Sequence, residues 1–217
     1  MRYLFFDIEC SNGRDICTFG YTITDEQFKV LEKEDIIINP ESNFTIPTTE
    51  KRKDIRLAYS REEFAKAPNY PKVYEKIASI INHPDQKIFG HAVSSDIKFL
   101  KTANARYDLP QFKFDAYDTQ RAFAQCGIGG GSCSLSGVAR SLGYDLSKVQ
   151  LHKSCDDAYL TMLCAKGICE KLNKSPEEVF NPTRKGYICN SKKIPTVMEE
   201  NARKAMAVRE EEEGLAF

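Results

Sequence analysis

Arg2-Tyr3-Leu4-Phe5-Phe6-Asp7-Ile8-Glu9 sets four aromatic or aliphatic residues in a row and then an acid, an isoleucine and a second acid. A short apolar run of this kind reads as a strand buried in a sheet and ending in carboxylates. Side chains alternate along a strand, so Asp7 and Glu9 project to the same side. Two like charges about 4 Å apart at an effective dielectric near 20 repel by roughly 4 kcal/mol. Further acids converging there need a cation to stay ionised. Oxygen-only ligands favour Mg²⁺, with Mn²⁺ the alternative, over zinc.

Outward from that strand, Asn12-Gly13-Arg14-Asp15 is a turn signal, and residues 16–24 and 28–38 read as two more strands of an antiparallel meander. Residues 40–71 are polar and proline-interrupted, reading as a long loop with one or two short helices around the basic cluster Lys51-Arg52-Lys53. Val73, Ile77, Ile80 and Ile81 then repeat at helical spacing, and residues 87–91 read as a strand. A helix is expected from Ser94 through Leu100, a fifth strand at 114–117, and helices at 119–125, 135–142 and 154–172. Gly127-Ile128-Gly129-Gly130-Gly131 lacks the Lys-Ser/Thr ending of a phosphate loop and reads as a connector. Beyond Ser175 the pattern weakens until a polar helix from about Val197, which ends in Arg209-Glu210-Glu211-Glu212-Glu213. The alternation of strands and helices is that of an α/β fold.

The chain has 217 residues, enough for one well-filled core with a small appendage. The expected division is a catalytic domain over 1–174 and a partly helical extension over 175–217. No apolar stretch approaches the roughly 20 residues that cross a bilayer, and charges interrupt the first apolar run too early for a signal peptide. A cytoplasmic protein with no membrane partner is expected. Eight cysteines without a C-x-x-C, beside only 3 histidines, read as free thiols. The balance of 31 basic and 31 acidic residues argues against wrapping long duplex nucleic acid, which calls for a positive excess. It suits a short end gripped locally.

Three further residues draw attention. Asp96 opens the helix near Ser94, where it could simply complement the helix terminus. Asp157 completes Ser154-Cys155-Asp156-Asp157, which fits the S-x-x-D capping pattern. Its helical spacing with Leu160, Thr161, Cys164 and Ile168 nevertheless places it on the packed face, which leaves Asp156 as the better cap. His152 precedes Asp157 by five positions, on the loop entering that helix.

Phe6-Asp7-Ile8-Glu9, then Gly90-His91-Ala92-Val93-Ser94-Ser95-Asp96, then His152-Lys153-Ser154-Cys155-Asp156-Asp157 together resemble the three motifs of the DnaQ-like DEDDh 3′-to-5′ exonucleases. The resemblance runs from about Arg2 to Leu172. It implies a ribonuclease-H-like fold, a mixed five-stranded sheet with helices on both faces. It also implies a centre of two Mg²⁺ ions, with Asp7, Glu9, Asp96 and Asp157 as ligands and His152 as the general base. Cys10, Ser11 and His91 are the substrate contacts it suggests. The implied activity releases 5′-mononucleotides from the 3′ ends of DNA or RNA, preferably single-stranded. The alternatives are a non-catalytic nucleic-acid-binding or polymerase-docking module of the same fold, and a proofreading subunit whose carboxy-terminal helix docks on a DNA polymerase. Ala92 and Ser95 stand where the family often has Asn and Phe.

Overall fold

The computed structural model describes residues 1–45, 57–127, 133–183 and 185–214. The basic cluster at 51–53 and residues 128–131 of the glycine-rich stretch lie outside them.

The opening run forms β1 (Arg2–Cys10), followed by β2 (Ile16–Thr24) and β3 (Val30–Ile37). Both connections are antiparallel, with Asp7 opposite Gly20 and Gly20 opposite Asp35. After α1 (Arg61–Lys66) and α2 (Tyr70–Ile81), β4 (Gln86–Gly90) pairs parallel with β1 on its other side. α3 (Ser94–Arg106) crosses to β5 (Asp115–Asp118), parallel to β4. Then come α4 (Thr119–Gln125), α5 (Leu135–Ser141), α6 (Ser154–Leu172), α7 (Pro176–Val179), β6 (Ile188–Asn190) and α8 (Val197–Gly214). The sheet order is β3-β2-β1-β4-β5-β6.

The sheet thus has six strands, one more than expected. β6 is only three residues long and pairs antiparallel with β5. Three residues are too few to show an alternation in sequence. α2 also begins earlier than its apolar spacing suggests, because Pro71 sits in its first turn, where the missing N–H costs nothing.

Strand alternation divides the interior in two. Leu4, Phe6 and Ile8 pack with Ile77 and Ile81 of α2 and with Ile97 and Leu100 of α3. Tyr3 and Phe5 pack on the opposite face with Ala165 and Ile168 of α6 and with Phe180. Asp7 and Glu9 share the parity of Tyr3 and Phe5, so β1 delivers them to the face that carries α6. All nine residues of β2 are buried, as expected for a strand covered on both faces. All eight cysteines are free thiols, and Cys17, Cys155, Cys164, Cys169 and Cys189 are buried.

Candidate metal centre

Three local devices bring the acids together. The first is a gap in the sheet. The β1–β4 pairing ends at Phe5 opposite Phe89, so β1 runs on past its neighbour. There Ile8 N–H donates to Asp96 Oδ1 at 3.2 Å, and the α3 carboxylate takes the place of a strand carbonyl. Asp118 fixes the turn that makes this possible, its Oδ1 accepting from Ala92 N at 3.1 Å.

The second device is Gly20. A Cβ there would lie 2.1 Å from Cys155 N and from the Ser154 carbonyl carbon, so only glycine lets the start of α6 rest on β2. Thr18 and Ser154 hydroxyls meet beside it at 2.6 Å. Because Gly20 is the partner of Asp7, this contact sets α6 beside the end of β1.

The third is the loop before α6. His152 N–H donates to Asp157 Oδ2 at 2.9 Å, and His152 Nδ1 lies 3.2 Å from Glu9 Oε1. His152 takes φ 65°, a left-handed conformation that costs about 1–3 kcal/mol for a side chain of this size and persists only where its surroundings hold it. The expected Ser154 cap is not formed. Lys153 is the cap residue and makes no side-chain cap bond, while Asp35 Oδ1 of β3 accepts from Cys155 N at 2.6 Å. Asp156 turns to the loop instead, its Oδ2 accepting from Gln150 N at 2.9 Å.

The resulting pocket holds about 380 Å³ and is lined by Asp7, Glu9, His91, Leu135, His152 and Asp157. One ligand atom from each of Glu9, His152 and Asp157 lies within 4.8 Å of the others. Burial, then the charges of Asp96, Asp157 and Glu9, holds the Asp7 carboxyl well above the usual range. Burial does the same to Asp96, opposed by the Ile8 N–H and reinforced by Glu9. Asp157 is pushed up to about 7, mainly by burial, against the hydrogen bond from His152.

Asp7 Oδ2 and Asp157 Oδ1 are sealed from solvent and have no hydrogen-bond partner. An orphaned buried carboxylate oxygen costs free energy, and a cation would satisfy both. Oxygen donors with one imidazole fit a hard divalent ion. A second hollow of about 400 Å³ has one carboxylate, Asp15, which is already bound by Arg14 and Arg106.

The three expected substrate contacts are placed differently. His91 lines the pocket, but its Nδ1 is 3.0 Å from Thr119 Oγ1 and its Nε2 is 2.8 Å from the Cys133 carbonyl, and burial lowers its pKa. Ser11 is fully buried, its hydroxyl meeting that of Ser42 at 3.0 Å. Cys10 is partly buried, and neither Cys10 nor Ser11 lines the pocket. Sequence reading missed Gly20 and Asp35. A glycine amid the aromatics of Phe19-Gly20-Tyr21 was the available signal for the first, and nothing in the exposed run around Asp35 singled out the second.

Three parallel strands, β1, β4 and β5, flanked by antiparallel strands and with acids at the end of the first, form a ribonuclease-H-like mixed sheet. The family model described as DNA polymerase III subunit epsilon-like, C-terminal domain, matches residues 23–168, about two thirds of the chain, and the chain belongs to this DnaQ-like DEDDh family. That match begins after β1. Among solved structures, the 3′-exonuclease in specific recognition of a histone mRNA stem-loop is similar at TM-score 0.65 and 12% identity, over 81% of this chain and 65% of that one. The nuclease domain of 3′hExo, a DEDDh family member bound to rAMP, gives 0.63 and 14%, over 81% and 92%. E. coli exonuclease I in complex with a dA16 oligonucleotide gives 0.66 and 19%, over 85% of this chain and 44% of that one. The chain therefore spans less than half of exonuclease I and about two thirds of the stem-loop-recognising enzyme. No curated protein matches the sequence.

Proposed function

We propose that the chain is a divalent-metal-dependent 3′-to-5′ exonuclease, releasing 5′-mononucleotides from DNA or RNA ends, preferably single-stranded. The orphaned, buried oxygens on Asp7 and Asp157, two residues that line one pocket with Glu9 and His152, carry this reading. Asp7, Glu9, Asp96 and Asp157 would hold Mg²⁺, two ions by the family pattern, with Mn²⁺ able to substitute. Bound there, such ions lower the pKa of a water and brace the charge that develops on phosphate.

The chain's own groups do the rest. Imidazole titrates near neutrality, so His152 can take the proton from the attacking water. Its contact with Glu9 holds the ring in the wall of the same pocket, beside the place a terminal phosphodiester would take. In this reading His91, held by Thr119 Oγ1 and the Cys133 carbonyl, stands at the pocket wall beside the bound substrate end. In this reading residues 1–174 carry the catalytic groups and 175–217 form the extension. The family's name supports a DNA polymerase as a partner, and the exposed Met198, Met206 and Val208 of α8 are where it would dock.

A 3′-labelled oligonucleotide with Mg²⁺ tests the proposal. Wild-type protein should shorten it from the labelled end and Asp7→Asn should not; equal activity in the two overturns the reading. Matched DNA and RNA strands in the same assay decide the substrate class. Co-purification with the full chain and with a chain ending at residue 196, which keeps β6 and the buried Phe180, tests the polymerase partner.

A further inference from the structure

The edge strand β3 has an alternation with two different destinations. Glu32 and Glu34 turn to the Tyr21 hydroxyl on one face. Lys33 and Asp35 turn to the other, where the first turn of α6 rests. Asp35 Oδ1 accepts from Cys155 N at 2.6 Å and its Oδ2 from the Tyr59 hydroxyl at 2.7 Å. Lys33 Nζ lies 2.5 Å from Asp156 Oδ1 and 4.9 Å from the centroid of the Tyr159 ring. Asp156, in turn, holds Gln150 N with its other oxygen.

These contacts reach the two parts of the centre separately. Asp35 anchors the helical turn that carries Asp157. Lys33, through Asp156, anchors the loop that carries His152, whose left-handed backbone gives it no intrinsic preference for that position.

We propose that Lys33 and Asp35 of β3 are positioning residues, Asp35 for the metal ligand Asp157 and Lys33 for the base His152. The assignment of those two roles rests on the exonuclease reading above. Neither β3 residue lines the pocket. Each acts through another residue, in the way that groups behind metal ligands set the orientation of the ligands themselves.

The test separates the two arms. Lys33→Met keeps the aliphatic stem over Tyr159 and removes the ammonium. It should lower kcat on a 3′-labelled oligonucleotide about tenfold, while KM and the Mn²⁺ affinity stay near wild type. Asp35→Ala should weaken Mn²⁺ binding about tenfold, measured calorimetrically with Mn²⁺ alone on metal-stripped protein. Asp35→Asn retains an acceptor for Cys155 N and should recover most of that affinity, which a variant that merely unfolds would not allow. Wild-type Mn²⁺ affinity in Asp35→Ala, together with wild-type kcat in Lys33→Met, would reduce β3 to ordinary helix support and overturn the inference. Failure of the exonuclease reading looks different: wild type and Asp7→Asn would act alike on the oligonucleotide. The Mn²⁺ titration of Asp35→Ala would still decide that residue's arm.

Discussion

His152 combines a strained backbone with bonds to two of the acids it serves, and the two effects can be separated by substitution. At φ 65°, glycine is easier to accommodate than alanine. His152→Gly should therefore be more stable than His152→Ala by about 1 kcal/mol, while both lose about 10²–10⁴-fold in turnover. Thermal unfolding and single-turnover cleavage check the two halves, and equal stability of the pair would argue that the strain is relieved elsewhere. Asp157 adds a pH dependence. Its unfolded carboxyl titrates near 3.9 and its folded one near 7. Between those values the folded state binds the extra proton, so the stability it contributes is full at the acid end and is lost as pH rises through about 7. Asp7 and Asp96, raised in the same direction, add to it. Metal-stripped protein should accordingly unfold at a lower temperature at pH 8 than at pH 5. Excess Mn²⁺ should reverse that order by binding only the folded, ionised site. An unfolding midpoint in chelator that does not fall between these pH values would show that the acids are not suppressed as described.

Among the elements, β2 and α6 meet at the tightest contact on which the site depends. Gly20→Ala would drive a methyl into the backbone of Ser154 and Cys155. Overpacking of this kind costs about 1–3 kcal/mol, and more where backbone must move. The variant should lose Mn²⁺ affinity along with stability, whereas an alanine at Gly127, which meets nothing within 4 Å but sits at φ 64°, should cost about 1 kcal/mol of stability and leave metal binding unchanged. β2 and α6 were also legible in the sequence, because nine apolar-rich positions and a long apolar face leave little choice. Asp7, Glu9, Asp96, His152 and Asp157 each had an ordinary reading as a strand end, a helix terminus or a loop residue, and only their joint order along the chain, resembling the family motifs, singled them out. Asp35 was not legible. Leu31-Glu32-Lys33-Glu34-Asp35 reads as a solvated edge, and only the position of α6, set by contacts distant in sequence, turns two of its charges inward. Ser11 was suggested as a substrate contact by the resemblance alone, and the turn back to Asp15 folds its hydroxyl into the protein, which leaves its backbone for such a contact.

At the scale of the molecule, the chain beyond α6 is built into the sheet. Val179 and Phe180 are fully buried, Tyr187 nearly so, and Phe180 stands edge-on to Phe89 at 5.0 Å. Losing a buried Phe alone costs about 3–5 kcal/mol, against a total stability of about 5–15 kcal/mol for a typical domain. A chain ending at residue 174 should therefore fold poorly or not at all. One ending at 196 gives up the α8 contacts to α3, such as Lys98 with Glu200, and should keep a cooperative transition by circular dichroism. Among the described residues, no helix is long and apolar enough to cross a membrane. The buried thiols give the fold an internal record of its own breathing. Cys17 sits on β2, Cys155, Cys164 and Cys169 are spaced along α6, and Cys189 is on β6, so a brief maleimide pulse read by peptide mass would report which layer parts first.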